Sequence, residues 1–126
     1  MLKQALTRAN DREAALRVLV QMPLRSAMLL SLLPEVMDTA IDSSNLTAIE
    51  LAREVLSRYQ AAPEVRTTIP RLVTCYLPAH DEWQYRRIAE LYALLGFKEE
   101  LVDFLRLCQA STNDEIWEIS DDFHRL

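Results

Sequence analysis

The chain has 126 residues, 50% apolar and 26% charged, with one glycine, two cysteines and a formal net charge of −5. A chain of this length buries roughly two thirds of its unfolded surface. It is therefore expected to fold as a single all-helical domain, 1–126, without a metal or disulfide. Its apolar runs fall short of the about 18 residues a membrane helix needs, and one glycine with few β-branched residues excludes a hairpin-rich fold.

In chain order, Asn10 with Glu13 three places on has the pattern of an N-cap and capping box, predicting a helix to about Gln21. Pro23 suits the first position of the next helix, "PLRSAMLLSLL". Pro34 predicts a boundary near Leu33 and a new start at "PEVMDTAID". The polar "DSSN", Asp42 to Asn45, is the clearest loop and a candidate hinge. From Leu46, a helical stripe of Ile49, Ala52, Leu56 and Tyr59 is widened by Leu51 and Val55.

Pro63 starts a helix that contains Pro70, where the bond to the Arg66 carbonyl is lost and a kink is expected, and Pro78 ends it. Asp81 caps "EWQYRRIAELYALL", and Gly96 stands where a left-handed C-terminal cap is expected. "FKEELVDFLRLCQA" follows with Phe97, Leu101, Leu105 and Cys108 in register. Asn113 or Asp114 then caps a last helix with Ile116, Ile119 and Phe123 inward. About eight helices result, and connections this short make consecutive helices antiparallel neighbours.

Four stretches share a helix-opening pattern: "PLRSAML" from Pro23, "PEVRTTI" from Pro63, "QYRRIAEL" from Gln84 and "DEIWEIS" from Asp114. The last two superimpose at a shift of 31, placing Tyr85 on Ile116, Ile88 on Ile119 and Tyr92 on Phe123. On these residues, Tyr85 to Phe123 resembles the short HEAT-like helical repeat: an apolar-Arg opening, a Gly turn, a Leu-rich second helix and an acidic turn. The resemblance implies a right-handed α-solenoid of antiparallel helices over 45–126, with 1–44 a less regular N-terminal part. Trp117 occupies the slot where an Arg is usual, and "PEVMDTAID" breaks the alternation, so an irregular α-helical bundle remains the alternative fold. Helix pairs with apolar bands this broad are stabilised by stacking on neighbours.

The charge is unevenly spread. Residues 1–30 carry five basic and two acidic side chains, residues 97–126 three basic and eight acidic. That gradient disfavours nucleic-acid or anionic-membrane binding and suits a protein partner with a basic surface. Twelve of the fourteen basic residues are Arg, which favours paired and interface geometries. The N-terminal stretch turns polar at once, without the apolar core of a signal peptide, so a cytoplasmic location is expected. Cys75 and Cys108, each on an apolar stretch, are expected as reduced buried thiols, with a disulfide not ruled out by spacing.

No motif for catalysis emerges: there is no Gly-rich phosphate loop, HExxH, CxxC or nucleophile elbow. His80 and His124 stand far apart and lack zinc-site spacing, so no metal or other cofactor is expected. Glu99–Glu100 and Asp121–Asp122 are adjacent, about 100° apart on a helix, so neither pair shares a face as an acid and base would. Arg66, Arg71, Arg86 and Arg87 form a central basic cluster whose simplest role is pairing with Glu64, Glu82 and Glu90.

Helical spacing does put Glu99 one turn from Asp103, and Asp114, Glu118 and Asp121 or Asp122 one turn apart; these acidic ridges, with Glu100, Glu115 and Trp117 beside them, are the candidate partner-binding residues. Trp83 and Trp117 lie off their helices' apolar stripes, and either could be a core residue against an adjacent helix pair; Trp117, if exposed beside the acidic ridge, would be an interface anchor. The function expected is a non-catalytic protein–protein interaction module, of the kind a small acidic inhibitor or immunity-type protein would be. A HEAT-like nucleic-acid or small-ligand binding protein or enzyme is the alternative, because the resembled fold carries both. Self-association of the basic and acidic ends is a third reading.

Overall fold

The structure is a computed structural model that describes residues 2–8 and 10–124. Among these, eight α-helices form: α1 (Leu2–Thr7), α2 (Arg12–Gln21), α3 (Ser26–Asp42), α4 (Leu46–Tyr59), α5 (Pro63–Val73), α6 (Glu82–Leu95), α7 (Lys98–Gln109) and α8 (Asp114–Phe123). A 3-10 turn spans Leu77–Ala79, and the described residues contain no strand. No described helix is long and apolar enough to cross a membrane. The helices gather into two compact units, Met1–Leu72 and Val73–Leu126.

The first unit departs most from the sequence expectations. The helix count agrees, but its membership does not: α1 was not anticipated, and the two helices expected around Pro34 are one. A six-residue helix shows too little periodicity to be read; α1 is held by buried Leu6, whose carbonyl accepts from Arg12 Nε at 2.8 Å. Asn10 is not a cap. Asp11 takes that position without a side-chain cap bond, and Glu13 pairs with Arg17 at 2.8 Å instead of closing a capping box.

Pro23 lies outside α3, since the chain from Met22 to Arg25 stays extended and the Leu24 N–H donates to the Tyr59 hydroxyl at 3.0 Å. Pro34 sits inside α3, exposed, with Leu29, Leu32 and Leu33 buried before it and Val36, Met37, Ala40 and Ile41 after it. An interior proline costs about 3 kcal/mol. Burying one Leu, Ile, Val or Met side chain yields about 1.5–3 kcal/mol. The six such residues on this stripe, with Ala40 between them, outweigh the local penalty, and the helix runs through.

The turn before α4 is held by hydrogen bonds rather than left open. Ser43 Oγ accepts from Asn45 N at 3.1 Å, and Asn45 Oδ1 caps α4 by accepting from Ala48 N at 3.2 Å. Ala48, Ile49, Ala52, Val55 and Leu56 are buried, while Leu51 and Tyr59 are only half-buried. The Tyr59 hydroxyl donates to the Met22 carbonyl at 3.1 Å and Arg58 donates to that of Val20, so the C-terminal ends of α2 and α4 meet. Their N-terminal ends meet as well, through a Glu13–Asn45 side-chain hydrogen bond. Thus α2 and α4 run parallel.

In α5, Val65, Ile69 and Val73 form the buried face, and Thr68 Oγ1 bonds back to the Glu64 carbonyl at 2.6 Å. Pro70 lies within the helix as expected, but the helix stops at Val73, well before Pro78, which belongs to the 3-10 turn. Cys75 therefore lies in an exposed turn, contrary to the expected buried thiol; Cys108 is buried, and both are free.

The second unit follows the sequence reading closely. Asp81 accepts from Gln84 N at 3.0 Å to start α6. Gly96, at φ 70°, ends it: Gly96 N donates to the Ala93 carbonyl and Phe97 N to that of Tyr92, the two bonds of a Schellman motif. Phe104, not Leu105, is the third inward residue of α7 with Leu101 and Cys108. Its ring lies 5.5 Å from that of Tyr85 and 6.2 Å from that of Tyr92, and these large side chains from two helices fill the interior. Asn113 caps α8 by accepting from Glu115 N at 2.9 Å; Ile116 and Ile119 are fully buried, and Phe123 is half-buried.

A regularity runs through both units. The residues preceding α2, α4, α6 and α8 are Asp11, Asn45, Asp81 and Asn113, so helix starts recur after 34, 36 and 32 residues. Counting from these starts, Ile49, Ala52, Val55 and Leu56 occupy the same buried positions as Tyr85, Ile88, Leu91 and Tyr92. Ser111 Oγ accepts from Asn113 N at 3.1 Å, repeating the Ser43–Asn45 turn. The openings at Pro23 and Pro63 belong to the intervening chain, which explains their uneven sequence spacing.

Candidate functional site

The inward residues of α8 determine what the rest of the helix shows. With Ile116, Ile119 and Ser120 buried, Asp114, Glu115, Trp117, Glu118, Asp121 and Asp122 are all exposed. Helical spacing divides them into two ridges. Asp114, Trp117 and Asp121 share one. Glu115, Glu118 and Asp122 share the other, which meets α6, because Arg86 Nη1 binds Asp122 Oδ2 at 2.9 Å and Glu82 hydrogen-bonds Glu115. Arg86 therefore pairs with Asp122 across the two helices, a carboxylate outside the Glu64, Glu82 and Glu90 set expected for the central Arg cluster.

Glu82 and Glu115 are both carboxyl groups, so the hydrogen bond between them needs a proton on one of the two. The Glu82 carboxyl is held above its ordinary value, first by its hydrogen bond to Glu115, then by desolvation, and then by the charges of Glu115 and Asp81. A concavity of about 260 Å³ opens at this meeting of helices, lined by Glu82, Trp83, Arg86, Glu115 and Glu118. Trp83 is 66% exposed and Trp117 47% exposed. Neither indole is a core residue, so the core reading left open from sequence falls away for both.

The acidic residues of α7 are arranged differently. Glu99 and Asp103 are exposed and Glu100 half-buried. Asp103 lies 3.7 Å from Arg106, and a shallow depression there is lined by Lys98, Glu99, Val102, Asp103 and Arg106. Acidic side chains on α7 are thus interleaved with cations, which weakens their field. Of the residues expected as a site, the structure brings Glu115, Glu118 and Asp122 together with α6, and leaves Glu99, Glu100 and Asp103 on the mixed surface of α7.

Three contributors were not among the sequence candidates: Glu82, Trp83 and Arg86. The spacing of the caps at Asp81 and Asn113 carries the signal, since it places the first turns of α6 and α8 in register.

The Cys108 thiol is pushed up to about 11 by burial, so it is neutral and unreactive near pH 7. Burial likewise raises the Tyr85 and Tyr92 hydroxyls. His80, in a left-handed conformation at φ 48°, stacks on Tyr85 at 6.3 Å beside a second concavity that includes Leu107 and the turn from Ala110 to Asn113. The Tyr85 hydroxyl donates to the Leu77 carbonyl at 2.7 Å, a structural bond. Among the described residues, no three His, Cys, Asp or Glu side chains gather as a metal-binding group.

Compared with known proteins, the chain matches no family model, no curated relative and no solved structure.

Proposed function

We propose that this chain is a non-catalytic protein-interaction module that binds a partner with a basic surface, as a small acidic inhibitor or immunity-type protein would. The observation carrying this reading is the exposure of Trp83 and Trp117 amid the acidic side chains of α6 and α8. Trp is among the residue types most enriched as interface anchors, and an anchor set among carboxylates suits a basic partner. Charge supports the same reading. Residues 73–126 carry eleven acidic and five basic side chains, against eight and nine in residues 1–72. Such a field attracts basic proteins and speeds their docking.

The fold reading that accompanies it is a set of HEAT-like helix pairs. Helix starts spaced 34, 36 and 32 residues apart favour it, as do the shared buried register of α4 and α6 and the parallel course of α2 with α4. α6 and α8 also run parallel, since Glu82 meets Glu115 near their starts and Arg86 meets Asp122 further along.

The test is affinity capture with the full chain as bait, beside a triple variant Asp114→Lys, Glu118→Lys, Asp122→Lys of matched melting temperature. A stoichiometric basic protein retained by the native chain, released by salt and lost from the variant, is the expected result. Capture of the same protein equally well by the variant removes the acidic face from the function. Capture of no stoichiometric protein overturns the module reading.

A further inference from the structure

The concavity between α6 and α8 has a chemistry more specific than general acidity. Trp83 forms one wall and stands largely exposed on the first turn of α6. Glu115 and Glu118, one helical turn apart on α8, line it with Glu82. Arg86, the cation among the lining residues, is drawn to Asp122 at 2.9 Å. That leaves Glu82 and Glu115 facing each other, an arrangement that raises the Glu82 carboxyl and that a cation lying between them would relieve. At about 260 Å³ the space is below the roughly 300–1,000 Å³ of small-molecule pockets, the scale of one long side chain.

We propose that this concavity is the docking point for a single arginine side chain of the partner protein, its guanidinium stacked on Trp83 and lying between Glu82 and Glu115, with Glu118 beside it. This rests on the interaction-module reading and names the chemistry of its contact. Charge complementarity selects a cation, and the indole wall selects among cations. A planar guanidinium is weakly hydrated, stacks on an aromatic face and offers donors in a fork that matches carboxylates. A lysine ammonium is a strongly hydrated point charge that uses the carboxylates but gains less from the indole. Trp is also the strongest cation–π partner of the aromatic side chains. The ridge bearing Trp117 shares none of the lining residues, so the two indoles are separable in an experiment.

The test is titration of the full chain with Nα-acetyl-arginine amide at low salt, followed by the indole N–H resonances of Trp83 and Trp117 in two-dimensional NMR. The expected result is a saturable shift of Trp83 with Trp117 unmoved. Nα-acetyl-lysine amide should bind at least about threefold more weakly, in line with a lost stacking contact. Trp83→Ala should weaken arginine amide binding by a similar factor, read from the Glu115 and Glu118 backbone amides, and Glu115→Gln should weaken it while leaving the Trp117 resonance in place. An unmoved Trp83, equal shifts of both indoles, or equal binding of the arginine and lysine amides overturns the proposal. Such a failure is distinguishable from failure of the module reading: a basic protein still captured through the acidic face would leave that reading standing.

Discussion

The two units reach the same kind of helix by different routes. In α6, α7 and α8, local signals and tertiary burial agree: Asp81 and Asn113 cap, Gly96 turns, and the apolar stripe faces inward. In α2 and α3 they disagree. Asp11 makes no side-chain cap bond, Pro23 is left outside its helix, and Pro34 is overridden in the middle of one. Consistency between levels makes a segment legible, and conflict makes it depend on its neighbours.

Four substitutions sharpen that contrast. The largest effect is expected for Leu33→Ala, which removes a fully buried side chain beside Pro34. It should cost about 2–5 kcal/mol in denaturant unfolding. It should also weaken the helical 13Cα shifts around Pro34, because burial is what carries α3 through the proline. A loss of stability with those shifts unchanged would mean that α3 does not depend on its stripe.

Pro34→Ala runs the other way. Restoring an N–H for the Leu30 carbonyl on an exposed helix face should raise the unfolding free energy by up to about 3 kcal/mol, seen as a higher denaturant midpoint. An unchanged or lower midpoint would show that Pro34 is not a local penalty.

The smallest effect separates the caps. Asn113→Ala removes the acceptor for Glu115 and Ile116 N–H and should cost about 1 kcal/mol. Asp11→Ala, with no side-chain cap bond to lose, should stay within about 0.5 kcal/mol. Equal costs for the two would erase the distinction between the units.

The candidate site shows the same division at the level of single residues. That Asp114, Glu115, Glu118, Asp121 and Asp122 lie on one exposed helix was legible, because Ile116 and Ile119 dictate which side turns inward. That Asp122 meets Arg86 and Glu115 meets Glu82 was not, since these pairs are 36 and 33 residues apart and depend on how α8 packs on α6. The Trp residues fall between. Their position off the stripe was visible, but a neighbouring helix could have covered either one, and only packing left both exposed.

By itself, the sequence determined the helical class, the starts of α4, α6 and α8, the Gly96 turn and the acidic character of the last helices. Each depends on residues within a turn or two of one another: a cap and the N–H it accepts from, a glycine free to take positive φ, an apolar period of 3.6. Tertiary structure alone decided that α3 crosses Pro34, that Cys75 is exposed while Cys108 is buried, and that Glu82, Trp83, Arg86, Glu115 and Glu118 share one concavity. Those outcomes rest on burial and charge pairing between segments distant in the chain, where several local preferences compete and the sum of contacts chooses among them.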